Sequence, residues 1–453
     1  MLRINKKTLI LFLLMLALEL IMATIILKKF GFNFYQGGDS PGYMLMAKNW
    51  LEHGVISFDA TSPYHPTNFR TPGYLLFLMI IYLIFHSFVP AMFFGALISA
   101  FAAPLIYLIA REIFSEKIAF GAGILTAVEP MGLFLGVSIL TEGIFTPILF
   151  LSIYYFIKYL KRGNVGNLWP ASFLFGLSSL IRPIMFYFWP FAVPFIIYKS
   201  SNLEWRSVFK NAAVFVAIFF AVLSPWLIRN RISLKSWQFT GLQGELFYVD
   251  HYGAVLRYLD KTESLSGIIN NAIAIVGLDK RFTPESSDIL FKLGLDGIKE
   301  HKFAYANVYA KSLISFFIAN GYKSFFIDIL GIPAKAPYIP FELFLRFDFK
   351  SISKTFSEMD AVGFLIYWGS KLFWVAVFIS FLASLIYLFF DERYKSIRAG
   401  AAFIAVAIFY FALITGPTAI GGGRTKAPVN GLIFIFAVFG WFKIFGFIKR
   451  KFT

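Results

Sequence analysis

The stretch TLILFLLMLALELIMATIIL, residues 8 to 27, decides the class of this protein. An apolar run of about 20 residues is long enough to cross a bilayer as one helix and too long for the apolar region of a signal peptide. Arg3, Lys6 and Lys7 precede it in a short tail. Because cytoplasmic segments are the ones enriched in lysine and arginine, the pattern predicts a first transmembrane helix with a cytoplasmic N-terminus.

The composition also favours a membrane protein. Of 453 residues, 58% are hydrophobic and 15% are charged, and the mean hydropathy is +0.71, which leaves too few polar groups to cover soluble domains. The 42 Lys and Arg against 25 Asp and Glu give a net charge of +17. These basic residues are dispersed between apolar runs and no folded basic domain carries them, so nucleic acid is excluded as a partner. The absence of cysteine excludes disulfide frameworks and cysteine nucleophiles.

Nine further apolar runs predict transmembrane helices, which makes ten with the first. They lie at about 91–111, 118–135, 140–159, 168–183, 185–198, 208–228, 363–390, 399–416 and 428–447. With this alternation every inside loop carries Lys or Arg. The outside segments are then 28–90, the turns near 136 and 184, 229–362 and 417–427. The apolar stretches 73–88 and 312–332 do not fit the alternation and are predicted to be re-entrant or interfacial helices.

The predicted fold is an all-α polytopic membrane protein, a helical bundle of about 10–12 transmembrane helices with further helices in its outer loops. We expect an N-terminal transmembrane catalytic module over 1–228, with a first outer loop at 28–72. An outer segment with interfacial helices follows at 229–362, and C-terminal transmembrane helices at 363–453. The expected location is the inner (cytoplasmic) membrane, with function sought on its outer face.

The first outer loop holds the most informative string, GGDSPGYMLMAKNWLEHG, which begins at Gly37. Asp39 precedes Ser40 and Pro41, so it either caps the following helix or presents a carboxylate as a general base or metal ligand. Further on, NFRTPGYLLFL places Arg70 at the mouth of an apolar helix. Arg70 either reaches towards lipid headgroups or binds a phosphate.

These residues carry a resemblance. An Asp followed by Tyr in the first outer loop, and then R-T-P-G-Y opening an apolar helix, resemble the membrane glycosyltransferases of the GT-C class. The likeness is to the family 39 branch, which includes protein O-mannosyltransferases and the bacterial enzyme that adds aminoarabinose to lipid A.

The resemblance continues in order along the chain, from about residue 36 to 435. In AREIFSEKIAFGAGILTAVEPMGLFLGVSILTEGIF, Glu142 stands at the family's carboxylate position, and in SLIRPIMF, Arg182 stands before a proline. SPWLIRN places Arg229 and Asn230 before the large outer segment, and GGGRTKAPVNGLIF places Arg424 before a late helix.

The resemblance implies a GT-C-like bundle that moves a sugar with inversion from a polyprenyl phosphate to an acceptor. Asp39 is the first choice for the catalytic base and Glu142 the second, because the acceptor hydroxyl must lose a proton. The arginines would bind the donor phosphate, whose charge grows in the transition state; they are Arg70, Arg182, Arg229 and Arg424. Tyr43, Tyr74 and Asn230 would contact substrate. The acceptor is left open among a lipid, a glycan and a protein.

The predicted topology, which does not depend on the family resemblance, places all six ionisable candidates at the same membrane boundary. They are Asp39, Arg70, Glu142, Arg182, Arg229 and Arg424. An arginine inside an apolar run, such as Arg182, is expensive and indicates either function or an ion pair with Glu142 or Glu129. Glu142 begins a helix, where the helix dipole also favours a carboxylate.

The sequence implies no particular cofactor. Some GT-C members hold a divalent metal with paired acidic residues in the first loop. Here the residue two before Asp39 is Gly37 and the residue two after it is Pro41, so this acidic pair is missing. A divalent metal is therefore possible but not implied. His53, Asp59 and His65 lie in the same loop at spacings that match no ligand pattern.

Two other functions use the same arginines. One is a flippase or transporter for an anionic lipid-linked substrate, which predicts internal repeats that the sequence lacks. The other is a ligase or polymerase that uses a lipid diphosphate donor. Among the sequence features, only the order of the motifs along the chain distinguishes such a ligase or polymerase from a GT-C enzyme.

Overall fold

The computed structural model describes residues 5–200, 204–260, 262–277, 282–337, 339, 343, 348–417 and 423–452, with side chains up to 446. Over these residues the chain forms helices and no strand, which confirms the predicted all-α bundle. Arg3 and part of the predicted outer turn 417–427 lie outside the described residues.

The N-terminal part of the chain contains eleven α-helices among the described residues. They are α1 (Lys6–Phe30), α2 (Ser40–His53), α3 (Pro72–Phe85), α4 (Val89–Ser99), α5 (Ala102–Ile113), α6 (Glu116–Ala127), α7 (Pro130–Gly136), α8 (Glu142–Arg162), α9 (Leu168–Ile181), α10 (Trp189–Ser200) and α11 (Trp205–Leu234). Helix α8 packs against α5 and α9, and α9 packs against α11. The predicted domain boundary at 228 falls inside α11.

The outer segment and the C-terminal part supply the remaining helices of the described residues. They are α12 (Leu242–Glu245), a π-helical stretch (Leu246–Tyr252), α13 (Gly253–Leu259), α14 (Leu265–Val276), α15 (Pro284–Glu300), α16 (Lys302–Ile318), a second π-helical stretch (Ser324–Ile329), α17 (Phe349–Ser357), α18 (Ala361–Phe390), α19 (Arg398–Thr415) and α20 (Ala427–Phe452). Helix α20 packs against α18 and α6, and α19 packs against α8. The C-terminal helices therefore close the bundle around α8.

Seven helical stretches of the described chain are long and apolar enough to cross a membrane. They are Lys6–Phe30, Val89–Ile113, Glu142–Arg162, Trp205–Leu234, Ala361–Phe390, Glu392–Thr415 and Ala427–Gly446. Each matches a predicted span, so a multi-pass membrane protein is confirmed. An eighth span results if α6 and α7, which bend by 58° at their break, count as one.

The bundle has fewer full-length spans than the ten predicted. The runs 168–183 and 185–198 form α9, of 14 residues, and α10, of 12 residues, with a short 3-10 helix between them. Proline has no N–H, and its ring disfavours helical backbone in the residue before it. Arg182, directly before Pro183, is accordingly extended with φ −139° and ψ 117°, and this ends α9.

The two stretches that did not fit the predicted alternation are also short. The first forms α3, a helix of 14 residues. The second is not one helix, because α16 ends at Ile318 and a separate π-helical stretch begins at Ser324. Whether either lies at the interface stays a prediction.

Candidate active site

Five charged side chains predicted from the sequence meet at one place, and each lies at or beside a helix end. Asp39 directly precedes α2, Arg70 lies just before α3, Glu142 is the first residue of α8, Arg182 follows the last residue of α9, and Arg424 lies just before α20. Helix ends are where a membrane bundle can present charge without burying it in hydrocarbon. The ends of five helices therefore build this site.

Close packing brings α3 and α9 together at the site. A Cβ atom on Gly73 would lie 2.7 Å from the carbonyl oxygen of Leu180, so only glycine permits this approach. Arg70 lies just before this contact on one helix and Arg182 just after it on the other. The glycine of the R-T-P-G-Y motif thus sets the spacing of two arginines.

The five side chains form one continuous chain of ion pairs, which we call the ionic array. Asp39 accepts from Arg70 Nη2 at 2.7 Å and from Arg424 Nη1 at 2.7 Å, using a different carboxylate oxygen for each. Arg424 also donates from Nε to Glu142 Oε1 at 2.7 Å, and Arg182 Nη1 lies 2.5 Å from the same oxygen. Arg424 therefore bridges the two carboxylates.

The contacts bear on two alternatives that the sequence left open, whether Asp39 caps α2 and whether Arg182 pairs with Glu142. Asp39 precedes α2 but makes no capping hydrogen bond to it, so its carboxylate is committed to the two arginines. Arg182 does pair with Glu142, as one alternative expected, and the pair belongs to the array. Thr141 Oγ1 donates to the second oxygen of Glu142 at 3.2 Å.

The two carboxylates differ in access. A cavity of about 800 Å³ is lined by Asp39, Arg70, Arg182 and Arg424. The Asp39 side chain is 34% exposed, whereas that of Glu142 is 1% exposed and lines a smaller cavity deeper in the bundle. A substrate in the large cavity would meet Asp39, with Glu142 behind the guanidinium groups.

The array favours an anionic ligand. Three guanidinium groups against two carboxylates leave one net positive charge. Burial alone would raise the pKa of Asp39, but Arg70 and Arg424 outweigh it, and the pKa lies below its usual range. Asp39 is therefore ionised at neutral pH and holds two guanidinium groups ready for an anion.

Arg70 is held by aromatic rings as well as by Asp39. Its guanidinium carbon lies 4.7 Å from the ring centre of Tyr43 and 4.8 Å from that of Phe69. Its buried Nε has no hydrogen-bond acceptor within the part of the chain that the structure describes. Tyr74 packs edge-on behind Tyr43, with 5.1 Å between ring centres, and supports that ring.

The part of the cavity lining that comes from residues 242–282 was not found from the sequence. It comes from the outer segment and includes Gln243, Glu245, Asp250 and His251. Burial, and then the charge of Glu245, raise the pKa of Asp250 to about 6, and burial lowers that of His251 to about 4. His251 Nδ1 lies 2.8 Å from the hydroxyl oxygen of Tyr305. The only signal in the sequence was a pair of polar residues in the apolar run LFYVDHYG.

Two of the predicted site residues lie away from the array. Arg229 Nη1 donates to the carbonyl oxygen of Thr67 at 2.8 Å, and its guanidinium lies 4.9 Å from the ring centre of Trp226. Asn230 is fully buried and donates to the carbonyl oxygen of Gln238 at 2.9 Å. Both residues fasten the C-terminal end of α11 to neighbouring loops.

We expect Arg229→Gln to lower the melting temperature of the purified protein, and we do not expect it to weaken binding when polyprenyl phosphate is tested as a ligand. The substitution removes the bond to Thr67 and leaves that buried carbonyl unsatisfied, at a cost of about 1–3 kcal/mol. Arg231→Gln is the matched control, because Arg231 is exposed and donates only to the carbonyl of Lys235 within the described residues. Lost binding at an unchanged melting temperature would contradict this placement of Arg229.

The stability of the outer segment is expected to depend on Asp250. Its folded pKa of about 6 lies above the usual value of 3.8, so the folded state binds this proton more tightly than the unfolded state does. The contribution is present below about pH 4 and is lost as the pH rises through about 6. Asp250→Asn should therefore increase the free energy of unfolding at about pH 8 by on the order of 1–3 kcal/mol, seen as a higher melting temperature, and change it little at about pH 4. An equal shift at both pH values, or the same gain in the exposed control Asp296→Asn, would contradict this.

The array does not fit a divalent metal. Both oxygens of Asp39 already face guanidinium groups, and the described residues contain no group of three His, Cys, Asp or Glu side chains that could hold an ion. A cation placed at Asp39 would be repelled by Arg70 and Arg424.

Residues 65–228 match the family described as dolichyl-phosphate-mannose-protein mannosyltransferase. The matched range contains Arg70, Glu142 and Arg182. The match bears out the resemblance to GT-C class enzymes of family 39. No curated protein matches the chain.

Similar solved structures include an oligosaccharyltransferase and an ArnT protein. One is the archaeal oligosaccharyltransferase AglB from Archaeoglobus fulgidus, in complex with an inhibitory peptide and a dolichol-phosphate, with a TM-score of 0.46, 16% identity, and coverage of 97% of this chain and 51% of that chain. The other is ArnT from Cupriavidus metallidurans bound to undecaprenyl phosphate, with a TM-score of 0.41, 14% identity, and coverage of 94% and 76%. The chain thus spans about half the length of the oligosaccharyltransferase.

Proposed function

We propose that this protein is an inverting glycosyltransferase that takes a sugar from a polyprenyl phosphate and transfers it to an acceptor on the outer face of the cytoplasmic membrane. The observation that carries the proposal is the position of Asp39 on the cavity wall, between two guanidinium groups. Asp39, the proposed base, is then in direct contact with Arg70 and Arg424, which belong to the proposed phosphate site.

The array suits the phosphate of such a donor. A polyprenyl phosphate sugar is a phosphodiester with one negative charge, which the net positive charge of the array complements. Guanidinium groups bind phosphate oxygens in pairs and remain charged when desolvated. The matched family is described by a dolichyl phosphate donor, which is a polyprenyl phosphate. Ile184, Tyr187 and Ile414 line an apolar part of the cavity that could take the first units of the lipid.

The chemistry needs Asp39 in two states. Before the donor binds, Asp39 is paired with both Arg70 and Arg424. A donor phosphate competes for the same guanidinium groups, which frees the carboxylate to accept a proton. The acceptor oxygen then bonds to the anomeric carbon from the face opposite the phosphate, the bond from that carbon to the phosphate oxygen breaks, and Asp39 takes the acceptor's proton. The arginines stabilise the charge that develops on the departing lipid phosphate.

Glu142 has a supporting role in this reaction. It is buried, lies behind the guanidinium groups and contacts both Arg182 and Arg424. A residue in that position orients the phosphate-binding groups and does not reach the acceptor. The acceptor would enter from the wall formed by Gln243, Glu245 and Asp250.

The proposal is tested by incubating the purified protein in nanodiscs with radiolabelled polyprenyl phosphate sugars and a membrane extract. We expect label to move into a new product whose anomeric configuration is inverted. In sealed vesicles of known orientation, transfer should require donor on the face away from the N-terminus. If no donor gives a product while label crosses sealed vesicles, the protein is a flippase and the proposal fails. Product formed only from a lipid diphosphate would instead indicate a ligase or polymerase.

A further inference from the structure

Three polar side chains of the outer segment line the large cavity and have hydrogen-bonding atoms that the fold does not use. They are Gln243, Asp250 and His251. Within the residues that the structure describes, the side chains of Gln243 and Asp250 make no hydrogen bond. His251 is 8% exposed and uses only Nδ1, which lies 2.8 Å from the hydroxyl oxygen of Tyr305. Polar groups shielded from water are normally hydrogen-bonded, so these atoms indicate a polar ligand in this part of the cavity.

The chemistry of these atoms matches that of hydroxyl groups. The Asp250 carboxylate accepts hydrogen bonds, the Gln243 amide donates and accepts them, and His251 Nε2 does either according to its tautomer. A hydroxyl group likewise donates and accepts. Glu245 lines the same cavity, and its negative charge acts on Asp250. A phosphate or carboxylate placed here would be repelled, so the lining favours a ligand with several hydroxyl groups and no negative charge.

Three phenylalanine rings add an apolar surface to the same cavity. They belong to Phe58, Phe69 and Phe282. The ring centres of Phe58 and Phe282 lie 4.6 Å apart, and those of Phe69 and Phe282 lie 4.3 Å apart. Aromatic surface combined with a few polar groups is typical of small-molecule sites. A sugar ring has hydroxyl groups around its edge and C–H groups on its faces, so it complements both kinds of surface.

The phenylalanines also join this lining to the ionic array. Phe69 directly precedes Arg70, and its ring centre lies 4.8 Å from the guanidinium carbon of Arg70. Thr67 Oγ1 donates to the carbonyl oxygen of Phe282 at 2.7 Å, which fixes the outer segment to the first outer loop. A sugar packed on these rings would therefore lie beside the groups that are proposed to hold the donor.

Asp250 is kept in the lining at a cost to stability. Burial, and then the charge of Glu245, raise the pKa of Asp250, so its ionised form destabilises the folded segment at neutral pH. Charged groups that cost stability are typical of functional sites. Together with the cavity and the unused hydrogen-bonding atoms, this favours a role in binding.

We infer that Gln243, Asp250 and His251 bind the hydroxyl groups of an uncharged sugar, and that the acceptor of the proposed reaction is therefore a glycan. The phenylalanine rings pack against a C–H face of that sugar. The inference rests on the proposed function, because it names the class of acceptor for that site. A phosphorylated lipid or a protein as the acceptor would contradict it.

Octyl glycosides of neutral hexoses are the probes for this inference. They are incubated with the protein in nanodiscs and labelled polyprenyl phosphate sugars, in parallel with the 6-phosphates of the same glycosides and a peptide that contains serine and threonine. We expect label on the neutral glycosides. Label confined to the phosphorylated glycosides or to the peptide would overturn the inference.

The variants Asp250→Asn and Gln243→Leu test the residues themselves. Each should raise the KM for the neutral glycoside about 10- to 100-fold and leave the KM for the donor unchanged. Asp250→Asn is expected to stabilise the fold, so its loss of acceptor binding would not come from unfolding. Asp296→Asn is the matched control, because Asp296 is exposed and pairs with Lys299. A raised KM for the donor alone would assign the lining to the transferred sugar, and unchanged KM values for both substrates would remove these residues from sugar binding; either result overturns the inference.

Failure of the proposed function is recognised separately. If the wild type transfers no sugar, binding of the same octyl glycosides to the protein in nanodiscs is measured by saturation-transfer NMR. Binding of a neutral glycoside that Asp250→Asn and Gln243→Leu weaken would support the sugar site without any transfer. No binding, or binding that neither variant weakens, overturns the inference.

Discussion

Asp39→Asn is expected to abolish sugar transfer, with a loss of about 100- to 10,000-fold, while the protein still binds polyprenyl phosphate. Asparagine has nearly the same shape as aspartate but cannot accept the proton of the acceptor hydroxyl. Asp39 accepts from Arg70 and Arg424. In the proposed reaction it competes with the donor phosphate for these two groups, so its neutralisation should leave phosphate affinity unchanged or increase it. The measurement is transfer with labelled donor alongside direct binding of the lipid phosphate.

Asp59→Asn is the matched control for this variant. Asp59 is an aspartate of the same outer loop, but its carboxylate accepts from Ser57 and from the backbone of His65, away from the array. Its substitution should leave transfer close to that of the wild type. If Glu142→Gln is inactive while Asp39→Asn keeps its activity, the two carboxylates exchange roles and the assignment of the base is wrong.

Much of the site follows from the sequence because charged residues are rare in this chain. A charged residue beside an apolar run stands out, and the sequence analysis found five that meet in the structure: Asp39, Arg70, Glu142, Arg182 and Arg424. The predicted alternation of spans placed them at one boundary, and the structure joins them in one array. Which of these side chains contact each other was not predictable, because the contacts depend on packing between helices that are far apart in the chain.

The sequence was less informative for transmembrane spans whose only signal was hydrophobicity. The run from 168 to 198 has the apolar content of two spans, but Pro183 divides it into α9, a 3-10 helix and α10. Arg229 and Asn230 have the residue types of a phosphate site, yet they contact Thr67 and Gln238. The polar wall of the cavity lies in the outer segment, where no periodic pattern marks which side chains turn inward.

Arg424→Lys is expected to lower transfer by about 100- to 1,000-fold and to weaken binding of polyprenyl phosphate. Arg424 uses Nε for Glu142 and Nη1 for Asp39, so one planar group spans both carboxylates. A lysine ammonium keeps the charge but is a single point donor, and it cannot hold both contacts in that geometry. The variant is measured by transfer rate and by lipid phosphate binding. Arg393→Lys is the control, since Arg393 forms an exposed ion pair with its neighbour Asp391.

The outcome of Arg424→Lys distinguishes geometry from charge in the array. Glu142 keeps Arg182 and Asp39 keeps Arg70 in the variant, so both carboxylates remain paired and the fold should survive. The loss would then lie in the reaction, because the phosphate would lose a donor placed between the two ends of the array. Wild-type activity in Arg424→Lys would show that charge alone suffices at this position, and the bridging role would have to be abandoned. Activity lost together with the melting temperature would assign Arg424 to stability, whereas loss at an unchanged melting temperature assigns it to catalysis.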